Sequence, residues 1–244
     1  MTGPGLNAMD GLWAHLSGGA LLWLTLTLGV YAIADRLSLL VQRNPLANPV
    51  LHSVWVIGVI LVASGTPYQT YFDGAYFIHF LLGPSTVALA LPLYENRRVV
   101  MRSLVPIVAA LLVGSIATIG SVIVCAAVFD LPAMITISSL PKSATSGVAM
   151  GISQSVGGDA SLTAILVVAT GIVGAVMATP LLNLLRIEDR RARGFAVGLA
   201  AHGVGTARAF QVHPLTGTFA GVAMSLNGLM TAVLVPLAAS FLGG

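Results

Sequence analysis

Two cations and a histidine stand where a chain this apolar has little ordinary use for them. Lys142 lies in Ser139-Leu-Pro-Lys-Ser-Ala-Thr-Ser-Gly-Val-Ala-Met150, and His202 and Arg208 lie in Ala201-His-Gly-Val-Gly-Thr-Ala-Arg-Ala209. A third stretch of the same character is Leu82-Gly-Pro-Ser-Thr-Val-Ala-Leu-Ala90. Proline removes a helical N–H and clashes with the preceding turn, so the first and third stretches break any helix that contains them. A lysine near a bilayer centre costs several kcal/mol unless it is paired or wetted. The residues assembled here suit the binding of a small anion. Lys142 supplies an ammonium, and Arg208 supplies a planar two-donor fork that matches a carboxylate. The hydroxyls of Ser143, Thr145, Ser146, Ser85, Thr86 and Thr206 can replace a water shell, and Gly83, Gly147, Gly203 and Gly205 let backbone approach backbone or solute.

Each of these residues also has a plainer reading. Lys142 can snorkel from a loop edge, and Arg208 can sit at an interface if its segment ends early. His202 can be a satisfied core histidine or a proton-linked group. The hydroxyls can bond their own helix backbones, and the glycines can serve packing alone. No catalytic triad, metal cluster or phosphate loop is evident in the sequence, so neither an enzyme nor a metal or other cofactor is expected.

The elements that must hold these stretches are membrane spans. The chain has 244 residues, 57% hydrophobic and 8% charged, against roughly 25% charged in a soluble domain. An all-α polytopic membrane protein is the fold class that follows, with the lipid bilayer as its solvent. One cysteine, Cys125, excludes an internal disulfide and a cysteine-built metal site. The net charge of +3 is no nucleic-acid signal, because nine of the eleven basic residues fall in three short loops that orientation explains. No cleavable signal peptide is evident, and a bacterial inner membrane is the expected location.

Apolar runs at 19–41, 50–65, 103–129, 160–185 and 216–242 read as spans, some long enough to cross roughly 30 Å of hydrocarbon. Residues 75–94 and 194–212 read as interrupted segments, and Tyr68, Tyr71, Phe72 and Tyr76 form an aromatic belt around Asp73. Arg36 and Arg43, then Arg97, Arg98 and Arg102, then Arg186, Arg190, Arg191 and Arg193 place three loops in the cytoplasm. Asp10, Asp73, Asp130 and Asp159 are then external. With Asp130 and Asp159 on one side, residues 131–155 must enter and leave by one face, as a re-entrant hairpin with Pro141-Lys142 at its tip. Pro84 and Val204 lie 120 residues apart. That spacing suggests two inverted units, about 50–129 and 160–244, linked by the hairpin within a single transmembrane domain 1–244. Inverted units with broken helices at the midplane are a mark of secondary transporters.

The runs Leu82-Gly-Pro-Ser-Thr-Val-Ala-Leu-Ala-Leu-Pro-Leu-Tyr94, Ser139 to Met150 and Ala201 to Arg208 closely resemble the LrgB/CidB family, over residues 20–242. The resemblance implies a bacterial membrane protein that works with a small four-helix partner of the LrgA/CidA type. It implies either transport of small monocarboxylates (pyruvate, glycolate, glycerate or lactate) or holin- or antiholin-like control of murein hydrolase export and lysis. It also implies a fold akin to the cation/proton-antiporter and bile-acid-symporter group. A carrier is the reading the residues favour, because a lesion-forming holin does not need buried breaks carrying a lysine and an arginine. A channel is a third option. Gly217 and Gly221, four apart, permit close helix contact, within the chain or between copies, and a homodimer is expected.

Overall fold

The computed structural model describes residues 19–81, 88 and 90–242. It is all-helical among these residues and forms two compact units, residues 1–88 and 89–244.

In the first unit α1 (Ala20–Leu40) is followed by α2 (Pro49–Ser64), α3 (Tyr68–Gly74) and α4 (Tyr76–Phe80). The Asn44-Pro-Leu-Ala-Asn-Pro49 turn works through its two asparagines. Asn44 accepts from the Leu46 N–H, and Asn48 caps α2 by accepting from the N–H groups of Val50 and Leu51. Gly65, at φ 62°, closes α2 in the left-handed conformation that glycine adopts without a steric cost. Trp23 is fully buried against Gly74, where a Cβ would fall 2.6 Å from the indole ring. The aromatic residues expected to form a belt, Tyr68, Tyr71, Phe72 and Tyr76, make successive ring contacts, and Asp73 accepts from Gln69. The interrupted segment 75–94 appears as α4 and, in the second unit, α5 (Ala90–Glu95). Its break, with Gly83, Pro84, Ser85 and Thr86, lies outside the described residues.

The second unit continues with α6 (Arg97–Arg102), α7 (Leu104–Val128), α8 (Ala133–Ser139), α9 (Ser146–Ser155), α10 (Ala160–Leu184), α11 (Arg190–Val212) and α12 (Pro214–Leu242). Four helices among the described residues are long and apolar enough to cross a membrane: α1, α7, α10 and α12. α7 and α12 run parallel. Ile107 and Leu111 pack with Phe219 and Ala223, Ser115 meets Asn227, and Ile119 and Val122 pack with Val235. α10 runs the other way, with Leu182 near its end beside Ala220 near the start of α12. The end carrying Arg97, Arg98 and Arg102 is therefore also the end carrying Arg186 to Arg193. Asp130 and Asp159 lie at the opposite end. This is the charge arrangement expected of cytoplasmic and external faces.

Residues 131–155 form the expected hairpin. Pro141 cannot supply the N–H that would continue α8, and the chain turns through bonds from the Lys142 N–H to the Ser139 carbonyl and from the Ala144 N–H to the Pro141 carbonyl before Thr145 opens α9. Its base is tied to α10 by hydroxyls: Ser138 Oγ accepts from the Asp159 N–H at 2.8 Å, and Thr163 Oγ1 lies 2.7 Å from Ser153 Oγ.

Residues 194–212 are interrupted, as expected, and the interruption folds them into a second hairpin that enters from the basic end; the crossing that inverted units would require of this segment is not made. The backbone leaves the helical region at Ala201 (φ −123°, ψ 15°) and His202 (φ 40°, ψ −134°). The second limb then folds back on the first: a Cβ at Gly205 would lie 2.9 Å from Val197 Cγ1, and Ala209 clusters with Val197. In a straight helix those pairs would be roughly 12 and 18 Å apart. His-Gly-Val-Gly is the physical reason, since each glycine costs a helix about 1 kcal/mol, and Gly205 admits the returning limb. Residues 160–242 thus give span, hairpin, span. The parallel course of α7 and α12 also removes the antiparallel relation that inverted units 50–129 and 160–244 would impose on these two helices.

Candidate functional site

The two hairpins reach toward each other from opposite ends, and their tips meet on α10 and α12. Ala144, two residues past Lys142, packs with Ala149 and with Val167 of α10. His202, at the other tip, places Nε2 2.9 Å from the carbonyl oxygen of that same Val167. Gly171 and Gly174 make this approach possible, because added Cβ atoms would stand 2.6 Å from His202 Cε1 and 2.5 Å from Ala201 Cβ.

A single side chain of α12 ties both tips together. Asn227 is fully buried. Its Nδ2 donates to the Leu199 carbonyl at 3.2 Å, and lies 3.1 Å from the Ser143 carbonyl and 3.2 Å from Ser143 Oγ. Its Oδ1 accepts from Ser115 of α7 at 3.0 Å. With carbonyl acceptors on one side and a hydroxyl donor on the other, the amide has one satisfactory orientation. Leu199 lies just before the break in α11, where its carbonyl loses its helical N–H. Asn227 takes that N–H's place.

Helix ends of both signs meet at the junction. Both second limbs, residues 146–155 and 203–212, begin at the junction and present helix N-termini there, each the positive end of a dipole. The opposing C-terminal end of the first α11 limb is partly capped by Asn227, as is the carbonyl of Ser143 in the other turn. Lys142 adds an ammonium at one tip. It is half-buried and has no hydrogen-bond or ion-pair partner among the described residues.

The remaining candidates separate into groups. Ser143 is committed to Asn227. Thr206 donates to the His202 carbonyl at 2.8 Å and touches Met224 Sδ at 3.8 Å, so it bonds its own limb. Thr145 holds the N-cap backbone conformation of α9, yet its hydroxyl makes no cap bond; Ser146 follows it as the first residue of that limb. Gly203 is open, with only Met224 Sδ within 4 Å of an added Cβ, whereas Gly205 is needed for packing. Arg208 stands six residues past His202, roughly 9 Å along the limb, with Nη1 3.3 Å from Gln211 Oε1. Ser85 and Thr86 lie outside the described residues.

Asn227 and Ser115 had no place in the sequence reading. The available signal was a lone carboxamide in the apolar run 216–242. Away from the junction, Asp189 caps α11, and its hydrogen bonds from the Arg191 guanidinium hold its carboxyl down at about 2.

The model of the LrgB-like family matches residues 27–241. The chain is 31% identical over 220 residues to a holin-like protein CidB of Staphylococcus aureus (strain Mu50), covering 89% of this chain and 95% of that one. It is 29% identical over 218 residues to a holin-like protein CidB of Staphylococcus epidermidis (strain ATCC 35984), covering 89% and 95%. Protein YwbG of Bacillus subtilis (strain 168) is 34% identical over 221 residues, covering 90% and 97%. No solved structure matches.

Proposed function

Because the chain belongs to the LrgB-like family of membrane proteins, we propose that it carries small monocarboxylates across the bacterial inner membrane, acting with a four-helix membrane partner of the LrgA/CidA type. The substrate class is pyruvate, glycolate, glycerate or lactate, and the working form is a homodimer. One observation supports this reading above the others. Two re-entrant hairpins bring two half-helix N-termini and Lys142 to a shared junction on α10 and α12. Discontinuous helices whose positive ends face the midplane are how secondary transporters receive anionic groups.

A carboxylate there is held by Lys142 and by the free N–H groups that open residues 146–155 and 203–212. Thr145 and Ser146 supply hydroxyls, and Gly203 lets the solute approach the backbone. Arg208, further down its limb, meets the anion on the path to the basic face. The chemistry is binding and release, with no bond made or broken.

A second reading rests on the relatives' names. Holin-like proteins suggest a regulator of murein hydrolase export and lysis. Uptake of labelled pyruvate, glycolate and lactate into proteoliposomes, with and without the four-helix partner, separates the two. A carrier gives saturable uptake with counterflow, lost in Lys142→Ala and kept in Arg97→Ala. Absence of saturable uptake for every one of these acids, with the partner present, defeats the carrier reading in favour of the lysis regulator.

A further inference from the structure

His202 is placed for a task beyond filling the core. Its backbone occupies a left-handed region at φ 40°, ψ −134°, a conformation that a non-glycine residue holds only when its surroundings impose it. Its ring is pinned in one orientation, with Nε2 2.9 Å from the Val167 carbonyl and the ring against Gly171. A carbonyl can only accept, so Nε2 must carry a hydrogen, and the neutral ring then bears its lone pair on Nδ1. No described residue makes a hydrogen bond to Nδ1. Beside it the chain opens at Gly203, where an added Cβ meets only Met224 Sδ, at 3.9 Å.

A carboxylate at this tip faces a choice set by the tautomer. Against neutral His202 it meets a lone pair and is repelled. Against the imidazolium it meets an N–H donor and a positive charge. The ring cannot solve the problem by switching tautomers, because that would leave Nε2 and the Val167 carbonyl as two acceptors facing each other. The surrounding elements offer few other groups that titrate. α10 and α12 carry no ionisable side chain, α7 carries Cys125, and the opposite hairpin carries Lys142. α11 itself adds Arg208, roughly 9 Å down its second limb, with Arg190, Arg191 and Arg193 at its base.

Building on the carrier reading above, we infer that Nδ1 of His202 binds the proton that travels with the anion. One proton and one monocarboxylate enter the junction together. The proton is held at Nδ1 and donated as a hydrogen bond to the carboxylate oxygen, and it returns to water when the anion leaves. The pair moves with no net charge.

The test uses the full chain in proteoliposomes with labelled pyruvate. Wild-type accumulation follows an imposed pH gradient, about tenfold per pH unit with the lumen alkaline, and ignores a potassium-diffusion potential set with valinomycin. A trapped pH dye records lumen acidification in step with uptake, above that of empty liposomes. His202→Gln retains an N–H to donate to Val167 but offers no site for a proton; gradient-driven accumulation and the acidification above background are lost. The inference is overturned if wild-type accumulation follows the potential instead of the pH gradient, or if His202→Gln keeps pH-driven accumulation. The wild-type arm alone can overturn the inference, and His202→Gln is read at wild-type membrane abundance with pyruvate counterflow retained. Saturable wild-type uptake without proton movement refutes His202 as the proton site and leaves the carrier intact; no saturable uptake at all refutes both.

Discussion

Replacing Asn227 by leucine tests whether the junction depends on one carboxamide. The two side chains have the same number and branching of heavy atoms and leucine is the bulkier, so the change removes polar contacts without opening a cavity. Asn227 offers two N–H donors and one carbonyl, and all three are used: Leu199, Ser143 and Ser115 are the partners. Interhelical hydrogen bonds inside membranes average about 0.6 kcal/mol, and a buried group left without its partner costs about 1–3 kcal/mol. Three partners are orphaned, but the backbone carbonyls keep some access to each other's donors as the tips relax. The expected loss is therefore about 2–4 kcal/mol. It is measured by circular dichroism as mixed micelles are enriched in dodecyl sulfate. Asn227→Asp, which offers acceptors where donors are needed, should lose at least as much. A double-mutant cycle with Ser143→Ala should give a coupling of about 0.5–2 kcal/mol. Uptake should fall at least tenfold in Asn227→Leu at equal membrane abundance. A stability change below about 0.5 kcal/mol together with undiminished uptake would refute the idea that Asn227 ties the tips together.

Cysteines placed at Asp130 and Asp159, in a chain lacking Cys125, should react with an impermeant reagent from outside, and those at Asn96 and Asp189 only from the cytoplasm. Cysteines at Arg190 and His213 should report the same cytoplasmic side; labelling from opposite sides would mean that α11 crosses. Lys142→Ala should weaken anion binding roughly ten- to a hundredfold, the value of one charge-assisted hydrogen bond, with Lys142→Arg rescuing poorly because the fork differs in shape. Gly198→Ala should destabilise by about 1–3 kcal/mol in the same micelle titration, since its Cβ runs into the Ala220 carbonyl. Asp189, held at about 2 from a usual value of 3.8, contributes stability that is present above pH 4 and fades as pH falls toward 2. It is exposed, so the loss should stay well under about 1 kcal/mol, and Asp189→Asn should remove the pH dependence while keeping most of the cap.

The spans and the first hairpin were legible because membrane chemistry is written locally. Twenty apolar residues, a proline-lysine pair and two flanking acids are enough to say that residues 131–155 turn back. The second hairpin was not, because its apolar content and the arginine-rich loop before it read equally well as a crossing. The break at Ala201-His202 is a matter of two backbone residues, and the returning limb is held by contacts with Val197 and Ala220 that no local pattern encodes. Asn227 was invisible for a related reason. A lone asparagine in a span looks like a tolerated polar residue until Ser143, 84 residues earlier, is found against it. Of the hydroxyls chosen from sequence, Ser143 and Thr206 proved to be bonded within the protein, and that distinction required the fold.

The seat of the second hairpin also bears on how the chain is made. Gly194 and Gly198 lie against the Thr216 and Ala220 carbonyls, and the Phe210 ring lies on Gly217. Every one of those surfaces belongs to α12, which leaves the ribosome afterwards. At about 5–20 residues per second, the 29 residues of α12 take roughly 1.5–6 s to be synthesised. Through that interval the hairpin, carrying His202 and Arg208, has the α10 and α7 sides of its seat but not the α12 side. Its seat is thus completed only when α12 joins it. Chains truncated after residue 213 and released into the membrane should leave residues 190–212 open to protease, and chains that run through α12 should shield them.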